Sequence, residues 1–293
     1  MVACEAPNPS AVITAFDAAG CALLLIPFLW FGFGLAEKMG GWIRVRSFAV
    51  RIMLPWVLLS AYLVFALPRG IFQWEACLGL AAISMVVCAL VEFGRDFAVL
   101  TILGISVDLG FFKNAFPVAG LSSMPKLLLV DVGLYGYLVL RPLEGIGYDF
   151  RPRWRDFRIG LREFVFYTPV AIALGFALGF LHFHRTLSNP VWFSGGWVFT
   201  LFFIAVPEEL FFRGLMLNML SRRFGTRTAL VVSSVLFGLA HFNKRAVYFN
   251  WRYVILAAIA GVFYGRAWLA ERRILTSSIT HATVDTVWSI WLR

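Results

Sequence analysis

Charge is the scarcest property of this 293-residue sequence: Asp, Glu, Lys and Arg make up 14% of it, against 60% hydrophobic residues and a mean hydropathy of +0.81. A soluble domain keeps roughly a quarter of its residues charged, so a chain this long has too little charge to cover a water-facing surface. Cysteine is also rare. The four present (Cys4, Cys21, Cys77 and Cys88) lack metal-ligand spacing, and three lie within or beside apolar runs. They read as free apolar thiols and leave the redox compartment open. Only four histidines occur, and none belongs to an HExxH motif. There is no low-complexity tract and no internal repeat. The start MVACEAPNPS is neither basic nor followed by a small-residue cleavage site, so the first apolar run is expected to stay as an anchor.

What is present instead is length of apolar chain. Residues 18–36, 164–181 and 186–207 contain no charged residue, and each approaches or exceeds the roughly 17–25 residues that span a bilayer. Spans are expected near 18–36, 52–68, 76–91, 97–112, 124–140, 164–183, 197–217, 228–242, 253–270 and 275–291. They should be helices, because lipid offers backbone groups no partner and barrel strands would alternate in hydropathy. The expected fold is therefore all-α, a polytopic transmembrane helix bundle of about 8–10 spans. The net charge of +10 does not point to nucleic acid, because Lys and Arg sit in short loops between apolar runs rather than in one patch. Loops 37–51 and 141–162 carry much of this charge and fall on one side when 97–112 is counted as a span, as the positive-inside rule requires. That count gives ten spans with both termini outside. Three regions follow: 1–147, a transmembrane region without motifs; 148–162, a basic and aromatic linker suited to the headgroup layer; and 163–293, a core rich in polar interruptions. The expected location is a bacterial-type inner membrane, with lipid as a partner.

An ionisable residue at bilayer depth is a functional hypothesis by default, and the C-terminal third has three groupings of them. In PEELFFR, Glu208 and Glu209 point about 100° apart on a helix. Glu209 and Arg213 are i, i+4 neighbours and are expected to form an internal ion pair. Glu208 is then the carboxylate available as a general base. Pro207 should loosen a backbone hydrogen bond and bend the span. In FGLAH, Phe237 and His241 stand at i, i+4; in HATVD, His281 and Asp285 do. The bland alternatives are a structural ion pair, a histidine satisfied by a carbonyl, and an aspartate that caps a neighbouring helix. Together, on three spans, these residues can face one polar cavity. With the spans as assigned, His241 lies near the outer end of its own and His281 near the inner end of its own. A common site therefore requires tilted or broken helices, or shifted boundaries. His182 and His184 sit at a span end and read as interfacial.

In this order the groupings resemble the CPBP family (CAAX proteases and bacteriocin-processing enzymes, also called Abi), whose pattern is EExxxR, then FxxxH, then HxxxN or HxxxD. The resemblance covers about 197–290. It implies an intramembrane endopeptidase, CAAX prenyl protease-like, acting on a membrane-associated or lipidated protein or peptide. By that resemblance Glu208, with His241, activates a water, Glu209 and Arg213 position the apparatus, and His281 with residue 285 stabilises the oxyanion. Asp285 stands where the prenyl-protein branch has Asn. An ionised Asp cannot donate a hydrogen bond, so its expected task is to hold His281 in a donating tautomer. The expected cofactor is none. The alternative is zinc on His241, His281 and Glu208, a three-ligand catalytic site with one position open to water. From another class, a transporter or channel could use the same buried polar residues, although evident inverted repeats and paired broken helices are lacking.

Overall fold

The computed structural model of the protein describes residues 14–116, 123–184, 190–244 and 248–292, and at 190–192 the backbone only. Cys4, the start at 1–10 and residues 186–189 of the third uncharged run lie outside these. All regular structure among the described residues is helical. Two compact units divide the chain, Met1–Leu143 and Glu144–Arg293, so the stretch expected as a linker at 148–162 lies wholly in the second.

The first unit contains α1 (Ala15–Gly32), α2 (Ala36–Ile43), α3 (Phe48–Ala66), α4 (Trp74–Glu92), α5 (Asp96–Asp108) and α6 (124–140, with a π-helical end at Tyr135–Leu140). Several of its charges are paired within the unit. Asp17 at the start of α1 caps the helix through Thr14 and pairs with Arg69. Arg51 binds Glu92 at 2.8 and 3.0 Å, and Asp96 accepts from Tyr137 and Arg141. Residues 37–51, expected as a loop, are largely helical, because α2 and the first turn of α3 occupy them.

The second unit contains α7 (Trp154–Ala177), α8 (190–224), α9 (Thr226–Leu239), α10 (Trp251–Glu271) and α11 (Ile274–Trp291). Helix α7 begins ten residues before the span expected at 164. The Asp156 carboxylate accepts from the Arg153 N–H at 2.9 Å, which caps the first turn. Among the described residues five helices are long and apolar enough to cross a membrane: α1, α3, α4, α7 and α10. That is fewer than the ten expected by hydropathy, for reasons visible in the helices themselves. Helix α5 has 13 residues and α9 has 14, α6 and α8 change helical register along their length, and α11 carries Ser, Thr, His and Asp.

Small residues let the helices of the second unit approach closely, the usual device where lipid removes the hydrophobic drive between helices. A Cβ on Gly160 of α7 would stand 2.9 Å from the Thr276 carbonyl, and one on Gly238 of α9 would stand 2.5 Å from the Val254 carbonyl. The Thr280 hydroxyl donates to the Gly160 carbonyl at 2.9 Å. The start of α11 is fixed by Arg273, which is 5% exposed. Its guanidinium reaches Asp156 at 2.9 and 3.1 Å, Asp149 at 2.6 Å and the Arg151 carbonyl at 2.7 Å. Thr276 adds a bond to Asp156 at 2.8 Å. This clamp sets the rotation of α11 two turns below His281.

Gly147 lets the 144–153 segment pass against that clamp. Its φ is +73°, and an added Cβ would stand 1.8 Å from the Arg272 carbonyl, while its own carbonyl accepts from the Ile274 N–H at 2.9 Å. Gly147→Ala is therefore expected to destabilise the second unit by more than about 1 kcal/mol, read as a lower unfolding midpoint in detergent. Asp149 lies outside the spans. Burial by itself would raise its pKa, but the Arg151 N–H and the Arg273 guanidinium hold it below the ordinary 3.8. A carboxylate depressed in the folded state stabilises above its unfolded pKa and loses that contribution as pH falls through the folded one. Thermal stability should therefore fall on acidification below about pH 4, and Asp149→Asn should flatten that part of the profile.

Candidate active site

Helix α8 carries the first motif on an irregular backbone. It is α-helical over Pro190–Thr200, π-helical over Leu201–Ala205, α-helical over Val206–Glu209 and π-helical again over Leu210–Leu217. Proline has no N–H for the carbonyl four residues back, and the wider turn before Pro207 accommodates that gap. Such π turns inside α-helices often mark functional sites. Glu208 and Glu209 thus occupy one regular turn between two loosened ones.

The two carboxylates have different surroundings. Glu209 is fully buried. Its Oε1 accepts from Arg213 Nη1 at 3.1 Å and lies 2.8 Å from His281 Nδ1. Arg213 is 1% exposed, donates from Nη2 to the Gly261 carbonyl at 3.0 Å, and lays its guanidinium over the Phe237 ring at 4.5 Å. The side chain of Glu208 keeps 23% exposure, with Oε2 at 3.8 Å from His281 Nε2.

The histidines are fixed through their Nδ1 atoms. An ionised carboxylate only accepts, so the Glu209 contact places a proton on His281 Nδ1 and leaves Nε2 facing Glu208 and, at 3.5 Å, Asp285 Oδ2. His241 Nδ1 lies 2.8 Å from the Phe237 carbonyl. A carbonyl also only accepts, so the proton sits on Nδ1 and Nε2 of His241 presents a lone pair. Helix α9 ends at Leu239, before the expected 242. His241 therefore lies in the turn beyond the helix and its ring folds back over it. Phe237 connects the two histidines, with its ring 4.9 Å from His241 and 5.6 Å from His281. Glu208 and His281 both lie within electrostatic reach of His241. The shorter helix and the turn after it bring His241 to the same cavity as His281.

The structure thus brings Glu208, Glu209, Arg213, His241, His281 and Asp285 together. The bond that orients His281 comes from Glu209, across the helix interface, whereas Asp285 stands on the Nε2 side of the ring. His182 and His184 lie apart from the site, their backbone N–H groups bound to the Leu292 and Trp291 carbonyls. Tyr264 of α10 belongs to no motif, yet its ring stacks on His281 with centroids 4.6 Å apart and planes 17° apart. Its only sequence signal is a pair of flanking glycines, Gly261 and Gly265. They mark close approach: a Cβ at Gly261 would stand 3.1 Å from Ser234 and one at Gly265 2.3 Å from Leu230. Beside the histidines opens a largely apolar cavity, lined by His241, His281, Asp285 and Tyr264 together with residues such as Phe164, Ile172, Leu256 and Trp288. Among the described residues, no three His, Cys, Asp or Glu side chains are arranged to hold a metal ion.

The second unit thus sets paired carboxylates and two histidines beside an apolar cavity. Residues 190–287 match the family model for the Rce1-like type II CAAX prenyl endopeptidases. The motif resemblance is borne out by this match, and that third of the chain carries an Rce1-like domain of the CPBP/CAAX protease family. No curated protein and no solved structure matches the chain.

Breaking a buried ion pair by removing one partner costs about 3–5 kcal/mol, because the other charge stays buried. Arg213→Ala should therefore lower the unfolding midpoint by several degrees or prevent accumulation of folded protein. An unchanged midpoint would contradict the pairing described here.

Proposed function

We propose that this protein is an intramembrane endopeptidase, CAAX prenyl protease-like, that cleaves a peptide bond in a membrane-associated or lipidated protein or peptide with water as the nucleophile. The observation that carries this reading is the contrast between the paired glutamates. Glu209 is held by Arg213 and His281, while the neighbouring Glu208 keeps solvent access beside His281 and within electrostatic reach of His241. In the proposed reaction the Glu208 carboxylate, with His241 Nε2 as a second acceptor, takes a proton from water as the water oxygen attacks the scissile carbonyl carbon. The C–N bond then breaks and that proton passes to the leaving amine. Glu209 and Arg213 hold His281 in place. The apolar cavity supports an apolar or lipid-bearing substrate, since its walls offer few polar partners. The chemistry is written with the chain's own groups and without a metal.

Glu208→Gln keeps shape and removes the base, so it should lower kcat about 10²–10⁴-fold at an unchanged unfolding midpoint. The measurement is cleavage of a co-reconstituted peptide by purified protein, and a chelator should leave the wild-type rate unchanged. Stoichiometric zinc lost in His241→Ala and His281→Ala would overturn the metal-free mechanism. Solute flux that survives all three substitutions, without any cleavage, would overturn the protease reading.

A further inference from the structure

The HxxxD form of the third motif leaves the site short of hydrogen-bond donors. A tetrahedral intermediate develops an oxyanion, which requires N–H or O–H groups aimed at it. An ionised Asp285 only accepts. The Nδ1 proton of His281 is directed at Glu209, 2.8 Å away. In the neutral ring Nε2 then offers only a lone pair, and a proton placed there would face Asp285 at 3.5 Å and Glu208 at 3.8 Å. Three other donors on the cavity wall are engaged. Tyr167 donates to the Leu256 carbonyl at 3.2 Å and Thr168 to the Phe164 carbonyl at 2.8 Å, and His241 Nδ1 is bound to the Phe237 carbonyl.

Tyr264 differs from all of these. It is 1% exposed, it lines the cavity, and among the described residues its hydroxyl has no hydrogen-bond partner. A buried phenol normally finds one, so a donor held ready beside His281 calls for an acceptor that arrives with the substrate. The ring is stacked on His281 at 4.6 Å and lies 5.3 Å from the Arg213 guanidinium. That packing fixes where the hydroxyl points.

We propose that the Tyr264 hydroxyl donates the hydrogen bond that stabilises the oxyanion, in the part that a residue-285 amide would play in the HxxxN branch. This rests on the endopeptidase reading. As the water oxygen bonds to the carbonyl carbon, the carbonyl π electrons move onto its oxygen. Tyr264 donates a hydrogen bond to that oxygen and keeps its proton. When the carbonyl re-forms the C–N bond breaks, and the leaving nitrogen takes its proton from Glu208.

The test uses full-length protein in nanodiscs with a peptide that wild type cleaves and Glu208→Gln does not. Tyr264→Phe keeps the stacked ring and removes only the donor. It is expected to lower kcat about 10²–10³-fold, with KM and the unfolding midpoint unchanged. Tyr264→Leu, which also removes the flat ring, should be at least as impaired. A fall in kcat of less than tenfold in Tyr264→Phe overturns the proposal and leaves the ring as a shelf for His281. A loss explained by a raised KM or a lowered midpoint overturns it as well. Absence of cleavage by the wild-type protein is a separate result, and it removes the endopeptidase reading itself.

Discussion

A carboxylate taken out of water into a helix bundle has to be answered by charge or by hydrogen bonds, and the second unit is organised around how Glu209 is answered. One of its oxygens meets both Arg213, one turn along the same helix, and His281, on another helix. Arg213 in turn is held by the Gly261 carbonyl of α10 and by the faces of Phe237 and Tyr264. One ionic contact thus ties α8, α9, α10 and α11 together. The neighbouring Glu208 stands 3.8 Å from the other ring nitrogen of His281 and keeps part of its side chain exposed, so two adjacent residues of the same type have different surroundings.

The supporting architecture follows from the same requirement. The helices that carry these side chains approach closely, and Gly160, Gly238 and Gly265 stand where a Cβ would come within 3.0 Å of the facing helix. The rotation of α11 is fixed from below by Arg273, Asp156 and Asp149, where the chain has left the spans. The π turns on either side of Glu208 and Glu209 show the opposite tendency, a helix loosened where it carries the paired carboxylates. Rigidity at the ends and irregularity at the motif together place the carboxylates.

Much of this was legible in the sequence, and the reasons are physical. Membrane embedding followed from scarce charge and long apolar runs, which no soluble fold tolerates. The pairing of Glu209 with Arg213 followed from helical spacing. Span boundaries were less legible, because hydropathy reports apolar length rather than hydrogen-bond register. It could not show that α9 stops at Leu239 and leaves His241 in a turn, or that α8 changes register around Pro207. Helical spacing points to Asp285, four residues along, as a partner of His281, and its Oδ2 stands 3.5 Å from Nε2; the structure adds a second carboxylate, Glu209, from another helix. Contacts between helices have no spacing signature. Tyr264 was invisible for the same reason, with only its flanking glycines as a trace.

The central claim is that this membrane protein hydrolyses peptide bonds through Glu208. Its most direct test is a comparison of protein termini in cells that carry either wild-type protein or Glu208→Gln at equal abundance. The account predicts a defined set of membrane-associated proteins or peptides whose new termini appear with the wild type and vanish with the variant. Indistinguishable sets of termini would contradict it.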